Sequence, residues 1–356
     1  MVVGFIIASE CATLVGVNSI VTRLCLLALG AALAHAQIAG LKPGLGAAAD
    51  GKIAIAASGA EPATEIPITL VRGAKPGPTL AIIAGLSGTD YAPIAAVHQV
   101  AAHLNPAGLT GSVVLVHIAN VPAFLERAVY LNPIDHKDLR LQFPGKADGT
   151  LSERIAHAIT TQVIDKADAV VLVQAGGSNT MLSPYVVQLA SGDAKLDAKT
   201  ASMAMAFGIN YIVSAKASPA TAEGVAVARS KATINVFCGS YGMVDGRTVD
   251  AITKGLLSVM ALFEMIKENV TKARNPVFFD RLTVVESPQS GVLATYIQRG
   301  QNLHKGEPLF GVSGYTGKNI QVVQAPVDGI LLSIISTLPV NKGEPVAVIG
   351  ILKPVE

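Results

Sequence analysis

Three almost entirely apolar segments constrain the fold of this chain most strongly. They are Thr79–Ala84 (TLAIIA), Ser112–Ala119 (SVVLVHIA) and Ala169–Val173 (AVVLV). Strands with one solvated face alternate apolar and polar residues, whereas strands covered on both faces are apolar throughout. Apolar residues at helical spacing lie between these segments, in Ala92–Leu104 and Leu151–Ile164. The alternation predicts an α/β fold with a mostly parallel sheet that is flanked by helices.

The same pattern continues towards the C-terminus. Strands are expected at Ile66–Arg72, Tyr211–Val213 and Thr233–Phe237, and a long helix is expected across Val249–Lys267. The chain has 27 Lys and Arg against 25 Asp and Glu, so there is no basic excess and no nucleic-acid partner is expected. With 51% apolar and only 15% charged residues, the composition also excludes a disordered chain.

The sequence changes character after Asn275, where glycines, prolines and short strands replace the long apolar segments. An internal repeat lies here, in two pairs of matching segments: SPQSGVL (287–293) with APVDGIL (325–331), and KGEP (305–308) with KGEP (342–345). Two such halves are too few for a solenoid and are typical of a small pseudo-symmetric β-sandwich of the biotinyl/lipoyl type. We therefore predict an α/β domain over 37–275 and an all-β domain over 276–356.

A targeting segment is predicted at the N-terminus. Arg23 precedes an apolar run that ends at Ala34, and Ala34-His35-Ala36 places small residues at the positions that signal peptidase reads. The pattern predicts a signal peptide over residues 1–36, cleaved after Ala36. The run is shorter than the roughly 20 residues of a membrane span, so none is expected after cleavage. We expect a secreted or periplasmic protein whose remaining cysteine, Cys238, is a small buried hydrophobe.

Four segments, in chain order, resemble the succinylglutamate desuccinylase/aspartoacylase family. They are IPITLVRGAKPGPTLAIIAG (66–85), NPIDHKDLRLQFPG (132–145), GTLSERIAHAI (149–159) and the repeat region that begins near Val284. The resemblance implies a carboxypeptidase A-like fold with a C-terminal β-domain. In the family, this fold carries zinc-dependent hydrolysis of an amide.

The positions that the resemblance assigns to the zinc ligands carry other residues here. The family's His-Gly-x-Glu motif corresponds to Ser87-Gly88-Thr89-Asp90, and its third ligand, a His, corresponds to Gln174. Ser and Gln are neutral oxygen donors, and Asp90 alone cannot hold zinc, because zinc affinity comes from several ligands acting together. We therefore expect the family zinc to be lost and no other cofactor to replace it.

The resemblance assigns the catalytic base, a Glu, to the position of Phe237, whose ring cannot take a proton. The substrate-binding Asp-Leu-Asn-Arg of the family has become Asp138-Leu139-Arg140-Leu141, which displaces the guanidinium that would bind a carboxylate. No catalytic residue is therefore assigned.

Several polar residues remain candidates for other roles. Arg127, Lys137 and Arg140, together with Asp90, could bind a small anionic ligand, and a solvated loop is the alternative interpretation of the three basic residues. His117, near the end of a predicted strand, is a candidate for a relocated metal ligand or for a hydrogen-bonded core histidine.

Three hypotheses for function follow from these residues. The first is an exported pseudoenzyme that binds a small ligand or a protein partner without turnover. The second is a hydrolase that cleaves an amide or ester of a small acylated amino-acid-like substrate with a non-standard site. The third is a subunit of an assembly or homo-oligomer, to which the low charge and high apolar content are suited. A filled pocket beside an exposed apolar face would favour assembly, and an open polar pocket would favour ligand binding.

Overall fold

The computed structural model of the chain describes residues 37–353, so the predicted signal peptide lies outside the described residues. The strands as far as residue 237 are β1 (Ala47–Ile55), β2 (Thr64–Arg72), β3 (Lys75–Ala84), β4 (Thr110–Val116), β5 (Ala169–Gln174), β6 (Thr180–Leu182), β7 (Tyr185–Ala190), β8 (Tyr211–Lys216) and β9 (Ala232–Phe237). The helices are α1 (Tyr91–His103), α2 (Val121–Glu126), α3 (Leu151–Gln162), α4 (Ala194–Ala206), α5 (Ala222–Ala228) and α6 (Gly246–Leu262). Between residues 37 and 353, none of the helices is both long enough and apolar enough to cross a bilayer.

The predicted α/β fold with a central sheet is confirmed. These strands lie in one sheet, in which all except β6 have the order β1-β2-β4-β3-β5-β9-β7-β8, and β6 joins the sheet by pairing with a C-terminal strand. The run β4-β3-β5-β9 is parallel, and so is the pair of β7 and β8. The strands β1 and β2 add an antiparallel edge, and β7 is antiparallel to β9. The parallel part of the sheet lies at its centre, where helices cover both faces.

Successive side chains of the central strands point to opposite faces of the sheet and pack in two different hydrophobic cores, which explains why these strands are apolar throughout. Ile82 of β3 and Val171 of β5 belong to the core that packs against α1, α4 and α6. Their neighbours Ile83 and Leu172 belong to the core that packs against α3 and α5. All four side chains are fully buried, which stabilises the fold by about 1.5–3 kcal/mol for each.

Some elements differ from the sequence-based expectation. The strand β1 lies in a Gly- and Ala-rich segment without an apolar run; its residues alternate between half-buried and exposed over most of its length, as an edge strand allows. The strand β3 begins at Lys75, four residues before the apolar segment that starts at Thr79. The helix α6 begins earlier than Val249 because the Asp245 side chain accepts a hydrogen bond from the N–H of Thr248 and caps the helix.

The C-terminal region is all-β, as predicted. Its strands are β10 (Val277–Glu286), β11 (Gly291–Thr295), β12 (Asn302–Leu303), β13 (Pro308–Ser313), β14 (Gln321–Gln324), β15 (Gly329–Ile335), β16 (Pro339–Val340) and β17 (Pro345–Leu352). The strand β10 pairs with β8 and continues the central sheet through β17, β15 and β12. A second, antiparallel sheet has the order β14-β13-β11-β16, and a separate core lies in this region. One of the two sheets is therefore continuous with that of the α/β part.

The two KGEP segments of the internal repeat form the same turn. Gly306 and Gly343 have φ angles of 92° and 78°, in the left-handed region that favours glycine. In both copies the following glutamate carboxylate accepts the backbone N–H of the residue three positions before it, at 2.9 Å. Each turn leads directly into a strand, β13 or β17, so the repeated sequence encodes a repeated supersecondary unit.

Candidate functional site

The four positions assigned above to the zinc ligands and the base lie at one edge of the central sheet. Ser87 and Asp90 lie in the loop between β3 and α1. Gln174 is the last residue of β5 and Phe237 the last residue of β9, and the two are partners in the register of these strands. Because the carboxyl ends of parallel strands meet at the same edge of a sheet, the structure brings these positions together.

The carboxylate of Asp90 links two loops at this edge. Its Oδ2 accepts the backbone N–H of Ser87 at 2.9 Å, and its Oδ1 accepts the backbone N–H of Ala175 at 2.9 Å. Burial raises the pKa of Asp90 to about 6, although these two N–H groups and the charge of Arg140 lower it. Asp90 therefore ties the loop after β3 to the loop after β5.

The side chains of Ser87 and Gln174 also bond to protein atoms. Ser87 donates from Oγ to the carbonyl oxygen of Val129 at 2.6 Å. Gln174 donates from Nε2 to Oδ1 of Asn235 at 3.0 Å, and Asn235 donates from Nδ2 to Oε1 of Glu223 at 3.2 Å. The Gln174 amide is thus one end of a hydrogen-bonded chain that runs to a carboxylate of α5.

Glu223 and Asn235 were not identified from the sequence. Burial raises the pKa of the Glu223 carboxyl, and its hydrogen bond from Asn235 and the charge of Arg140 act in the opposite direction. Asn235 is buried within β9, where it interrupts an apolar segment (ATINVF). A buried side-chain amide needs a hydrogen-bond partner, so a single Asn within an apolar strand segment is the sequence signal that could have predicted this network.

Phe237, at the position that the resemblance assigns to the base, makes an aromatic contact. Its ring stacks on that of Tyr185 with centroids 4.9 Å apart and an interplanar angle of 21°. Tyr185 is buried, and burial raises the pKa of its hydroxyl above the usual range. Two stacked aromatic rings therefore lie at the position that the resemblance assigns to the Glu of the family.

Of the three predicted basic residues, Arg140 acts electrostatically on Asp90. Its guanidinium pairs with Asp138 at 2.6 Å (Nη2 to Oδ2) and 2.9 Å (Nε to Oδ1). It also lies over the ring of Tyr130, 5.5 Å from the centroid. This charge is therefore already paired with a carboxylate and packed on an aromatic face.

The other predicted residues lie in different surroundings. Lys137 pairs through Nζ with Glu153 at 3.2 Å. Arg127 ends α2 with a φ of 55° and lines a cavity with side chains of α1. His117 is hydrogen-bonded through Nε2 to Thr69 Oγ1 at 2.8 Å, which agrees with its interpretation as a hydrogen-bonded histidine. No hydrogen bond within the described part of the chain joins it to the four positions above.

Exposed apolar side chains surround this edge of the sheet; we call them the apolar rim. They lie on α2 and on the loops that follow α2 and β9: Leu125, Tyr130, Leu131, Ile134, Leu141, Tyr241, Met243 and Val244. The loops pack on the candidate site, since Gly88 donates its N–H to the carbonyl of Ala128 and Gly242 donates its N–H to the carbonyl of Gly177.

A family model, the succinylglutamate desuccinylase/aspartoacylase catalytic domain, matches residues 76–263, which is more than half of the chain. This chain belongs to the succinylglutamate desuccinylase/aspartoacylase family. The match runs from the start of β3 to the end of α6, and so includes all four positions described above as well as Glu223.

Individual relatives agree with this assignment. The chain is 24% identical over 296 residues to N-alpha-acetyl-L-2,4-diaminobutyric acid deacetylase of Halomonas elongata, covering 81% of this chain and 86% of the deacetylase. A succinylglutamate desuccinylase/aspartoacylase from Rhodobacter sphaeroides has a TM-score of 0.80 at 22% identity, covering 88% of this chain and 99% of that one. The product-bound ectoine utilization protein EutE (DoeB) of Ruegeria pomeroyi has a TM-score of 0.79 at 24% identity, with coverages of 87% and 97%. Both structures confirm the predicted fold.

The residues at the family's ligand positions do not fit a zinc ion. Ser87, Asp90 and Gln174 have relative exposures of 6%, 0% and 5%, and each has a polar side-chain atom engaged by the protein. The Gln174 amide presents N–H groups to Asn235, and both Asp90 oxygens accept backbone N–H groups. Zinc sites in proteins are built from Cys, His, Asp and Glu acting together, a set of which only Asp90 is present.

Proposed function

We propose that this chain is a pseudoenzyme of the family, an exported protein that acts by binding and does not hydrolyse amides with zinc. The observation that carries the proposal is the arrangement of Ser87, Asp90 and Gln174. Their side chains are closed off from solvent and hydrogen-bonded to the protein, which leaves no set of donors for a metal. Family membership gives the chain a deacylase fold, and activity depends on the site.

Two more residues support the proposal. Phe237 cannot accept a proton from a water molecule, and its ring is held by Tyr185. Arg140 is paired with Asp138 through two of its nitrogens, so a substrate carboxylate would have to compete with an internal ion pair. The absence of a base at Phe237, the internal pairing of Arg140 and the absence of a zinc ligand set therefore all argue against zinc-dependent hydrolysis of an amide.

The apolar rim favours a protein surface over a small anion as the bound partner. Leu125, Met243 and Val244 are 63%, 56% and 59% exposed, and aromatic residues and Met are enriched in interface cores. We therefore infer a role as a subunit of an assembly. Light scattering tests this inference. We expect Met243→Asp to lower the mass of the assembled species, because it places a charge in the apolar rim. Tyr315→Ser, an exposed residue of the β13–β14 hairpin, leaves that mass unchanged.

Export is part of the proposal and rests on the predicted signal peptide. Expression of the full chain in a bacterium with a periplasm, followed by N-terminal sequencing of the periplasmic protein, should give a mature chain that begins at Gln37. An intact N-terminus on protein found only in the cytoplasm would contradict this prediction.

The test of inactivity is a hydrolysis assay with measurement of bound metal. The protein is dialysed against EDTA, offered zinc, and incubated with N-alpha-acetyl-L-2,4-diaminobutyrate and with N-succinylglutamate, while amine release is followed. The Halomonas elongata deacetylase, treated identically, shows that the assay detects turnover. We expect no zinc-dependent release above the blank. Turnover that requires zinc and disappears in Gln174→Ala would refute the proposal.

A second candidate function is hydrolysis of a small acylated amino-acid-like substrate by a non-standard site. The name of the Halomonas elongata relative supports this chemistry, and Glu223 supplies a carboxyl with a raised pKa next to the former site. Such an activity would survive EDTA and would be lost in Glu223→Gln. Activity that is equal in the wild type and in Glu223→Gln would exclude this site.

A further inference from the structure

A second polar site lies in a cleft between α1 and the strands β1 and β2. The cavity has a volume of about 650 Å³. Its lining includes Asp50 of β1, Thr69 of β2, His98 of α1, and His117, which follows β4. Neither histidine is one of the four positions described above, and His98 also lines the cavity of Arg127.

Hydrogen bonds determine which nitrogen of His117 carries its proton. Thr69 donates its single hydroxyl proton from Oγ1 to the carboxylate of Asp50, at 2.6 Å. The Thr69 oxygen can then only accept from the ring of His117, so Nε2, 2.8 Å away, is the protonated nitrogen. The chain Asp50–Thr69–His117 therefore leaves Nδ1 with an unprotonated lone pair.

This lone pair has no partner within the described residues. Nδ1 of His117 is shielded from solvent and makes no hydrogen bond in the described part of the chain. Burial lowers the pKa of His117 to about 4, and the neighbouring His98 lowers it too. A buried acceptor without a donor is unfavourable, and a neutral imidazole nitrogen is the form that binds metals.

The ring of His98 supplies a second imidazole at a suitable distance. The two ring centroids are 5.1 Å apart, with an interplanar angle of 47°. Two imidazoles on one tetrahedral zinc, with Zn–N bonds of about 2.0–2.1 Å, have centroids about 5.2 Å apart. The observed separation of the two rings is within about 0.1 Å of this value.

We propose that His98 and His117 bind one divalent transition-metal ion of the zinc class, with Thr69 and Asp50 orienting His117 from behind. A carboxylate that acts on the far side of a metal-binding histidine fixes its tautomer and raises its basicity, as in known zinc sites. The charge of Asp50 also favours a cation in this cleft.

The site offers the metal two protein ligands. No group of three or more His, Cys, Asp or Glu residues that could hold a metal occurs between residues 37 and 353. The other coordination positions are therefore left to water or to a small anion from solution. Imidazole ligands suit Zn²⁺, Cu²⁺ and Ni²⁺ and disfavour Mg²⁺ and Ca²⁺.

The test uses the protein without a polyhistidine tag, freed of metal with EDTA, and ZnCl₂ in competition with a chromophoric chelator at pH 7.5. We expect about one Zn²⁺ per chain, and a loss of affinity of roughly 10-fold or more in both His98→Ala and His117→Ala. Thr69→Val keeps the side-chain shape but removes the hydroxyl, and should weaken binding roughly 10–100-fold. His103→Ala is the matched control, because His103 lies on the same helix, is exposed and pairs with Glu268.

The outcomes separate this inference from the proposed function. His98 is exposed, so His98→Ala tests the site without disturbing the core. Absence of zinc binding, or wild-type affinity in both His98→Ala and His117→Ala, would overturn the inference, and so would an equal loss in His103→Ala. Zinc that is lost in Gln174→Ala but kept in His98→Ala would contradict both proposals. Zinc that is lost in both His98→Ala and His117→Ala but kept in Gln174→Ala supports the inference and leaves the pseudoenzyme proposal unaffected.

Discussion

Replacing Asp90 by Asn removes a buried charge while keeping the shape of the side chain. In the wild type each carboxylate oxygen accepts one backbone N–H, from Ser87 or from Ala175. The Asn side chain keeps one acceptor and turns its NH₂ group towards the other backbone N–H. An unsatisfied buried donor costs about 1–3 kcal/mol, so we expect Asp90→Asn to lower the free energy of unfolding by that amount at acid pH, where the wild-type carboxyl is neutral as well.

The pH dependence of this difference isolates the Asp90 carboxyl. Its pKa is about 6 in the folded chain against an ordinary value of 3.8, so the folded state binds the proton more tightly. The resulting stabilisation is fully present below pH 3.8 and is lost as the pH rises through 6. At 1.36 kcal/mol for each pKa unit the full effect is about 3 kcal/mol, of which about 2 kcal/mol falls between roughly pH 4.5 and 7.5. Asp90→Asn lacks the titrating group, so the gap between the two proteins should widen by about 2 kcal/mol towards acid pH.

The assay is urea unfolding followed by far-UV circular dichroism, because the chain has no Trp. The difference between the two unfolding free energies at each pH removes the contributions of the other titrating carboxyls, including Glu223, because both proteins share them. The series is repeated with EDTA and with ZnCl₂, and the gap should be the same in both. A gap that is constant, or that narrows towards acid pH, would refute the view that burial dominates the pKa of the Asp90 carboxyl. A gap that depends on zinc would indicate that Asp90 is a metal ligand.

Three further changes test the described contacts. Asn235→Ala leaves two buried hydrogen-bonding neighbours without a partner and should lower the free energy of urea unfolding by about 1–3 kcal/mol. Arg154→Ala removes the 2.8 Å partner of Glu61 and should lower that free energy by about 3–5 kcal/mol, whereas Lys52→Ala, at an exposed ion pair, should change it by less than about 1 kcal/mol. Burial raises the pKa of Cys238 to about 12, so iodoacetamide should alkylate this thiol only after unfolding, as measured by peptide mass spectrometry.

Each of these three predictions would be contradicted by a specific result. Unchanged stability in Asn235→Ala would mean that water replaces the lost amide. An effect of Arg154→Ala as small as that of Lys52→Ala would mean that the Arg154 ion pair is solvated. Alkylation of Cys238 at equal rates in the native and unfolded states would mean that the end of β9 opens readily, and the packing described for Phe237 would then be transient.

Much of the fold follows from local sequence. The segments of β3, β4 and β5 are apolar throughout because each strand is covered on both faces, and that requirement appears directly in the residue types. The KGEP turns are equally local, since each needs only a glycine with positive φ and a carboxylate near a backbone N–H. The strand β1 was missed because an edge strand made of small residues has no such signature.

The candidate site shows where sequence reasoning ends. The family motifs identify Ser87, Asp90, Gln174 and Phe237 as the positions to examine, and residue chemistry alone argues against zinc there. The tertiary structure decided what these residues do instead: Asp90 joins two loops, and Gln174 reaches Glu223 through Asn235. These partners come from strands and helices that are distant in the chain.

The same distinction applies to the pair of His98 and His117 and to the apolar rim. A histidine's protonated nitrogen depends on the group it contacts, and Thr69 and Asp50 lie on other strands. Whether a Leu or Met is a core or a surface residue depends on which elements pack over it. The sequence by itself therefore determined the strands, the turns and the family, because these depend on neighbours along the chain. The tertiary structure decided the hydrogen-bond partners and the exposed face, because these depend on which distant segments the fold brings together.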